Sequence, residues 1–184
     1  MDFQSTIRHC TQCGESTNLL VPEGDDRVRH VCTNTACGHI QYINPKVVCG
    51  CLPVWEDKIL LCKRSIEPRS GYLTLPAGFM ELGETLEEAA VRETWEEARA
   101  KAEQLSLYRI ISLPTVGQIY VLFHATVADG IASPGPESES VQWFTESTIP
   151  WESLAFSTIT STLKDYCRDR SSQQPLTMAL QAIQ

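Results

Sequence analysis

Four cysteines near the start of the chain, spaced Cys10-x2-Cys13 and Cys32-x4-Cys37 with eighteen residues between the pairs, constrain its folding more than any other feature. Gly14 and Gly38 follow the second cysteine of each pair, so that a short turn aims two thiolates at one point while the backbone passes close behind the sulfurs. About forty residues cannot bury enough apolar surface to fold unaided. The spacing predicts a four-cysteine zinc ribbon, with Cys10, Cys13, Cys32 and Cys37 as the zinc ligands. Disulfides would need an oxidising compartment, and Met1-Asp2-Phe3-Gln4 opens no charged-then-apolar export signal. A cytoplasmic protein is the expectation. Four thiolates complete a tetrahedron and leave no position open for water, which makes this zinc structural; His9, His30 and His39 stand by as substitute ligands.

The other four cysteines read differently. Cys49 and Cys51 share one face of a strand-like run, and Cys62 follows Ile59-Leu60-Leu61, so these three read as small buried hydrophobes. Neither they nor Cys167 has a recognisable histidine and acid arranged to make a nucleophile.

The 184 residues carry 15 basic and 23 acidic side chains, a net charge of −8. A molecule of that sign repels polyanions, and residues 1–48 are themselves slightly acidic, so no nucleic-acid partner is expected. No apolar run approaches the roughly 18 residues of a membrane span, so no membrane partner is expected either. Much of the acidity sits in one segment. Glu81, Glu84, Glu87, Glu88, Glu93, Glu96 and Glu97 face the single base Arg92.

Residues 1–40 read as the ribbon, with Tyr42-Ile43-Asn44-Pro45 as the joint to a second domain over 41–170, and 171–184 as a C-terminal tail with room for a helical turn or two over 176–183. Strands are predicted over 46–54 and 58–64 around a tight turn, then a loop over 65–76 with a short strand at 72–75. One long helix follows Gly83. Further strands are predicted near 105–113, 117–128 and from Gln142, and a closing helix over 158–170.

The long helix carries the chemistry. Thr85 and Glu88 fit a capping box at its start. At about 100° per residue, Glu93, Glu96 and Glu97 fall within an arc of about 100° in one turn. Like charges so placed destabilise a bare helix by a few tenths of a kcal/mol per i,i+4 pair, and here they lie beside the apolar Leu86 and Ala90. Val91, Trp95 and Ala98 fall on the opposite side, which predicts that both flanks are partly covered. Carboxylates crowded at the edge of a core suit a divalent cation, and hard oxygen ligands select magnesium or manganese.

The segment Gly78-x5-Glu84-x7-Arg92-Glu93-Thr94-Trp95-Glu96-Glu97-Ala98-Arg99-Ala100 resembles the Nudix signature G-x5-E-x7-R-E-U-x-E-E-x-G-U, where U is apolar. Thr94 stands at an apolar position and Arg99 replaces the usual glycine; because Ala98-Arg99-Ala100-Lys101-Ala102 favours helix, a lengthened helix end is expected. The resemblance implies an α/β/α sandwich with a mixed sheet, an α/β fold preceded by the small ribbon. It also implies that Glu93, Glu96, Glu97 and the Gly78 carbonyl hold the catalytic Mg2+ or Mn2+, and that Arg92 pairs with Glu84 or Glu93. A further carboxylate from a later loop often assists in this family; Glu137 and Glu139 are the candidates, Glu139 preferred. Arg64 is the candidate phosphate contact, Arg69 a weaker one, and Tyr42, Phe79 and Tyr120 are candidates for stacking on a base.

The ribbon leading into Tyr-x-Asn-Pro-Lys, with Leu75-Pro76-Ala77-Gly78, Gly135-Pro136-Glu137-Ser138 and Ser153-Leu154-Ala155-Phe156, is similar to the zinc-ribbon Nudix group, nearest to the plant plastid FAD and ADP-ribose pyrophosphohydrolases. The implied reaction is metal-dependent hydrolysis of the diphosphate in a small-molecule dinucleotide such as FAD or ADP-ribose, releasing AMP; a homodimer is compatible with it. NADH pyrophosphatases are the alternative, although their Ser-Gln-Pro-Trp-Pro-Phe-Pro stretch is absent after the box. A second alternative is a non-catalytic module that senses a nucleotide and holds a protein or RNA.

Overall fold

The computed structural model describes residues 7–172 and 176–183. The chain divides into two compact units; the first runs to Pro45 and takes in Thr115–Gly117, and the second holds the rest. Among the described residues no helix is long and apolar enough to cross a membrane.

In the first unit β1 (Thr17–Leu20), β2 (Arg29–Cys32) and β3 (Ile40–Gln41) form an antiparallel sheet, with Thr17 opposite Cys32 and His30 opposite Gln41. Leu19, Leu20, Val21 and Val28 are exposed, so apolar burial does not hold this unit together. The four cysteines come together instead: their sulfurs all lie within 4.8 Å of one another. The pairs Cys10–Cys37 and Cys13–Cys32 are 3.9 and 3.4 Å apart, far beyond the ~2 Å of a disulfide. Gly14 and Gly38 have φ of +79° and +61°, and nothing lies within 4 Å of where a Cβ would stand. They supply the left-handed turn rather than the close passage expected of them.

The second unit is built on an eight-stranded sheet. Its members are β4 (Lys46–Trp55), β5 (Lys58–Arg64), β6 (Leu73–Thr74), β7 (Ala77–Phe79), β8 (Glu103–Leu113), β9 (Gln118–Thr126), β10 (Ser138–Phe144) and β11 (Ala179–Ala182). The order is β10-β5-β4-β9-β8-β11, with β6 added to β5 and β7 to β4. The β4/β9 and β8/β11 pairs are parallel and the others antiparallel, so the sheet is mixed. Alternation along β4 assigns its two faces. Cys49 and Cys51, fully buried, pack with Val121, Phe123, Ala89 and Ala90 under helix α1 (Leu86–Ala98). Leu52 and Val54 point the other way, into a core with Ile159, Leu163 and Tyr166 of helix α2 (Ser157–Ser171). The result is the expected α/β/α sandwich. Cys62 is also fully buried, and burial pushes the thiols of Cys49 and Cys51 up to about 11, so these cysteines are packing residues.

The C-terminal segment departs from the reading. Ala179–Ala182 is not helical but a parallel edge strand on β8, with Ala179 opposite Arg109 and the Ile183 amide donating to the Ser112 carbonyl at 3.0 Å. Arg109, only 2% exposed, explains the attachment. Its Nη1 donates to the Thr177 carbonyl at 2.9 Å, while Nε and Nη2 pair with Asp165 and Asp169 of α2 at 3.0 and 3.1 Å. A buried guanidinium needs every donor satisfied, and the tail provides one of its acceptors.

Candidate active site

Helix α1 begins as its sequence demands. The Thr85 hydroxyl accepts from the Glu88 amide at 3.2 Å and the Glu88 carboxylate accepts from the Thr85 amide at 2.8 Å, which fixes the helical phase of the glutamates about two and three turns on. Thr94 fits its apolar position, fully buried, because its hydroxyl donates to the Ala90 carbonyl at 2.7 Å and leaves no polar atom unpaired. Trp95 and Val91 are 44% and 38% exposed, so the outer flank is open and the expectation of cover on both sides holds only for Ala98.

The helix end corrects another expectation. Despite helix-favouring neighbours, α1 stops at Ala98, and Arg99 takes the left-handed conformation that glycine usually supplies, with φ 49° and its amide on the Trp95 carbonyl. The loop around Pro134-Gly135-Pro136 explains the stop. The Ser133 and Gly135 amides each donate, at 2.9 Å, to the otherwise orphaned carbonyls of Ala98 and Glu97. Gly135 lies so close that a Cβ there would stand 1.6 Å from the Glu96 carbonyl oxygen. In the sequence this stretch shows a glycine between two prolines and the Gly135-Pro136-Glu137-Ser138 resemblance, with no sign of its contact to α1.

Arg92 organises the acids. It grips Glu84 with two bonds of 3.0 and 2.8 Å, pairs with Glu93 at 2.7 Å and Glu96 at 3.1 Å, and donates to the Phe79 carbonyl at 3.1 Å. Both partners expected for it are present, with Glu96 as a third. The Arg92 guanidinium holds Glu84 down at about 2. Glu93 and Glu97 are buried, whereas Glu96 is exposed. Burial raises Glu93 above the ordinary carboxylate range despite Arg92. Glu97 is pushed up to about 8, by burial first and Glu93 second, with Arg64 and the Ala77 amide working against the rise. Gly78 belongs to this geometry because a Cβ there would lie 2.4 Å from the Glu93 carboxylate. Only a glycine lets that acid press against the β7 backbone. The carboxylates are less tightly gathered than the sulfurs: among the described residues only the four cysteines bring three or more such ligand atoms within 4.8 Å of one another.

The remaining candidates separate. Glu139 sits at a bulge in β10 and pairs with Lys63 at 3.0 Å on the surface. The carboxylate whose charge reaches Glu93 and Glu97 is Glu137, whose carbonyl accepts from the Ser65 amide at 2.9 Å. Of the two carboxylates expected to assist, Glu137 is thus the one tied to the glutamates, while Glu139, at the register shift between Ser138 and Ser140, pairs with Lys63. The Arg64 charge works against the rise at Glu97, and burial raises the Tyr120 phenol above its ordinary value. Arg69 lies with φ 66° in the loop after β5, its guanidinium 5.2 Å from the Tyr72 ring centre. Phe79 is half exposed with the Lys46 ammonium 4.9 Å over its ring. Tyr42 belongs to the first unit, where Arg29 covers its ring at 4.9 Å.

Residues 44–160 match the NUDIX domain family and residues 8–43 the Nudix N-terminal zinc-ribbon family. An ADP-ribose pyrophosphatase of Methanocaldococcus jannaschii is 34% identical over 69% of this chain and 76% of its own length. NAD-capped RNA hydrolases NudC of Edwardsiella ictaluri and Deinococcus radiodurans are 28% and 33% identical over 81% and 82% of this chain, which spans 56% and 53% of theirs. A crystal structure of a NUDIX hydrolase from Nitrosomonas europaea, 47% identical, superposes with a TM-score of 0.90 over 96% of this chain and 99% of that one. The glutamate helix, the sandwich that carries it and the four-cysteine module thus meet in one lineage, and the chain belongs to the Nudix hydrolase family, in the group with an N-terminal zinc ribbon.

Proposed function

We propose that the chain hydrolyses the diphosphate linkage of a dinucleotide, ADP-ribose or FAD, to release AMP. The observation that carries this reading is the set of acids on α1. Arg92 neutralises Glu84 and reaches Glu93 and Glu96, but Glu97 is left buried with its charge opposed by burial. A surplus of buried carboxylate is unfavourable without a cation. The donor set fits a hard divalent ion: Glu93, Glu96, Glu97 and the Gly78 carbonyl would hold Mg2+ or Mn2+. When bound, such an ion neutralises the diphosphate and acidifies water. The protein's own part is orientation. Arg92 fixes Glu93 and Glu96, Glu137 receives the proton of the attacking water at a carboxylate oxygen, and Arg64 contacts a phosphate. Water adds to one phosphorus, the bridging P–O bond breaks, and two phosphomonoesters leave. The sulfur donors of Cys10, Cys13, Cys32 and Cys37 would hold a structural zinc ion, since the described residues of the first unit form no apolar core to replace it.

A second reading is favoured by the NudC relatives: NADH, or an NAD cap at the end of an RNA, in place of ADP-ribose. The experiment is a panel of ADP-ribose, FAD, NADH and NAD-capped RNA incubated with magnesium or manganese and resolved by chromatography. AMP with ribose phosphate, or AMP with FMN, is the expected product pair, with no turnover in chelator. Faster turnover of NADH or capped RNA would move the substrate to the second reading, and binding without turnover of any of them would make the chain a nucleotide-sensing module. Elemental analysis of the same preparation should find about one zinc per chain.

A further inference from the structure

Phe156 is partly buried against the core of Leu154, Ile159 and Leu163, and its ring makes a second contact that this packing does not require. The residue is the N-cap of α2, where Ser, Thr, Asp or Asn would bond to the first amides, and it makes no such bond. Its backbone, by contrast, is placed closely. β6 lies on β5 with Leu73 opposite Lys63, Leu154 bridges in parallel to Leu73, and the Ala155 amide donates to the Leu73 carbonyl at 2.8 Å. Two residues past the bridge the chain runs beside the end of β5, and the Phe156 ring meets Arg64, whose guanidinium carbon is 5.3 Å from the ring centre. Arg64 is fixed at a second point, since its Nε donates to the Pro68 carbonyl at 2.9 Å. A ring on the guanidinium and a carbonyl on Nε leave both Nη groups without a hydrogen-bond partner among the described residues. Arg64 stands opposite Ser138 at the start of β10, next to Glu137, whose carbonyl accepts from the Ser65 amide at 2.9 Å, and its charge opposes the rise at Glu97.

We infer that Phe156 is a positioning residue for the reaction: its ring and the Pro68 carbonyl hold the Arg64 guanidinium in one orientation, with the two Nη groups left for the diphosphate. The inference rests on the reading that a diphosphate binds at this site. A guanidinium recognises phosphate through a planar fork, and a fork fixed beforehand loses less freedom on binding than a long side chain free in solvent. The cation–π contact supplies that constraint and does not compete for the Nη donors.

The test compares the wild type with Arg64→Ala, Phe156→Ala, Phe156→Leu, Phe156→Tyr and the Arg64→Ala, Phe156→Ala double variant. Three quantities are read: thermal midpoint, kcat and KM for ADP-ribose with magnesium, and calorimetric affinity for inorganic pyrophosphate with magnesium. Arg64→Ala is expected to weaken pyrophosphate about tenfold and Phe156→Ala about threefold to tenfold, chiefly as a rise in KM. The double variant should bind no more weakly than Arg64→Ala alone, because the ring acts only through the arginine. Phe156→Tyr should restore affinity and Phe156→Leu should not; leucine keeps apolar bulk against the core and carries the test if alanine fails to fold. Additive losses in the double variant, or wild-type affinity in Phe156→Leu, would overturn the inference, as would absence of pyrophosphate binding by the wild type. If pyrophosphate affinities follow the expected pattern while no dinucleotide is cleaved, the inference stands and the substrate reading falls.

Discussion

Glu97 and Gly78 show how two residues far apart in character serve one arrangement. Glu97 is buried and pushed up to about 8, so the protein keeps a carboxylate where burial opposes its charge. Gly78 is where the β7 backbone makes room for Glu93. Glu97→Gln deletes the charge while keeping size and hydrogen bonding. Turnover is expected to fall at least about a hundredfold, the scale of losing one electrostatic element of a transition-state site. Thermal stability should be unchanged or slightly higher, because repulsion among the acids is relieved. Gly78→Ala should act by displacement: the added methyl meets a side-chain end rather than backbone, so the fold adjusts while Glu93 leaves its place beside Arg92. Steady-state kinetics together with melting curves check both. A Glu97→Gln enzyme of normal activity, or one that unfolds, would mean that the acids form a structural face and not a metal site.

At the scale of elements, the end of α1 and the loop around Gly135 act as one unit. The loop closes the helix by donating to the Glu97 and Ala98 carbonyls, and its continuation carries Glu137 toward Glu93 and Glu97. Gly135→Ala would set a methyl against the Glu96 carbonyl oxygen, a backbone atom that cannot swing away. A loss of several kcal/mol or a displaced loop is expected, with reduced turnover even where the protein folds, since Glu137 moves with the loop. Chemical denaturation and kcat measure the two effects. A variant with wild-type stability and turnover would refute the coupling. This junction also marks how far sequence reading reached. The helix, its capping box, the arc of glutamates, Arg92 and the strands before them were legible because each is written in local periodicity and spacing. The stop at Ala98 was not, because tertiary hydrogen bonds from residues 133 and 135 override the local preference of Arg99 and its neighbours for helix. The preference for Glu139 over Glu137 had no local signal behind it: the register shift at Glu139 and the bond from the Ser65 amide to the Glu137 carbonyl depend on strand pairing, which is not a local property.

For the second unit as a whole, Arg109 has the longest reach. It lies in the strand predicted near 105–113, and nothing in its neighbours signals that its acidic partners and the Thr177 carbonyl stand more than fifty residues on. Its guanidinium joins β8 to Asp165 and Asp169 on α2 and to the Thr177 carbonyl, and the Tyr108 hydroxyl closes the set by donating to Asp169 at 2.8 Å. Arg109→Met keeps length and apolar stem but takes the buried cation from Asp165 and Asp169, leaving them the more exposed Arg168 at 2.6 and 3.8 Å; breaking a buried pair on one side costs about 3–5 kcal/mol, and the remaining partner places the expected loss toward the lower figure. Urea unfolding at pH 7 should show that loss, with turnover of the folded molecules unchanged because the network touches neither the glutamates nor Arg64. The pH dependence follows from Asp169. Burial alone would raise its pKa, but hydrogen bonds from Tyr108 and Arg109 outweigh this and hold it below the usual value. A carboxyl lowered on folding stabilises the native state fully above its unfolded pKa, about 3.9, and the contribution is lost as pH falls through the folded value. The gap in unfolding free energy between wild type and Arg109→Met should therefore be constant from pH 7 to about 5 and narrow below about 4. A gap under about 1 kcal/mol at pH 7 would show the buried guanidinium to be dispensable to the fold.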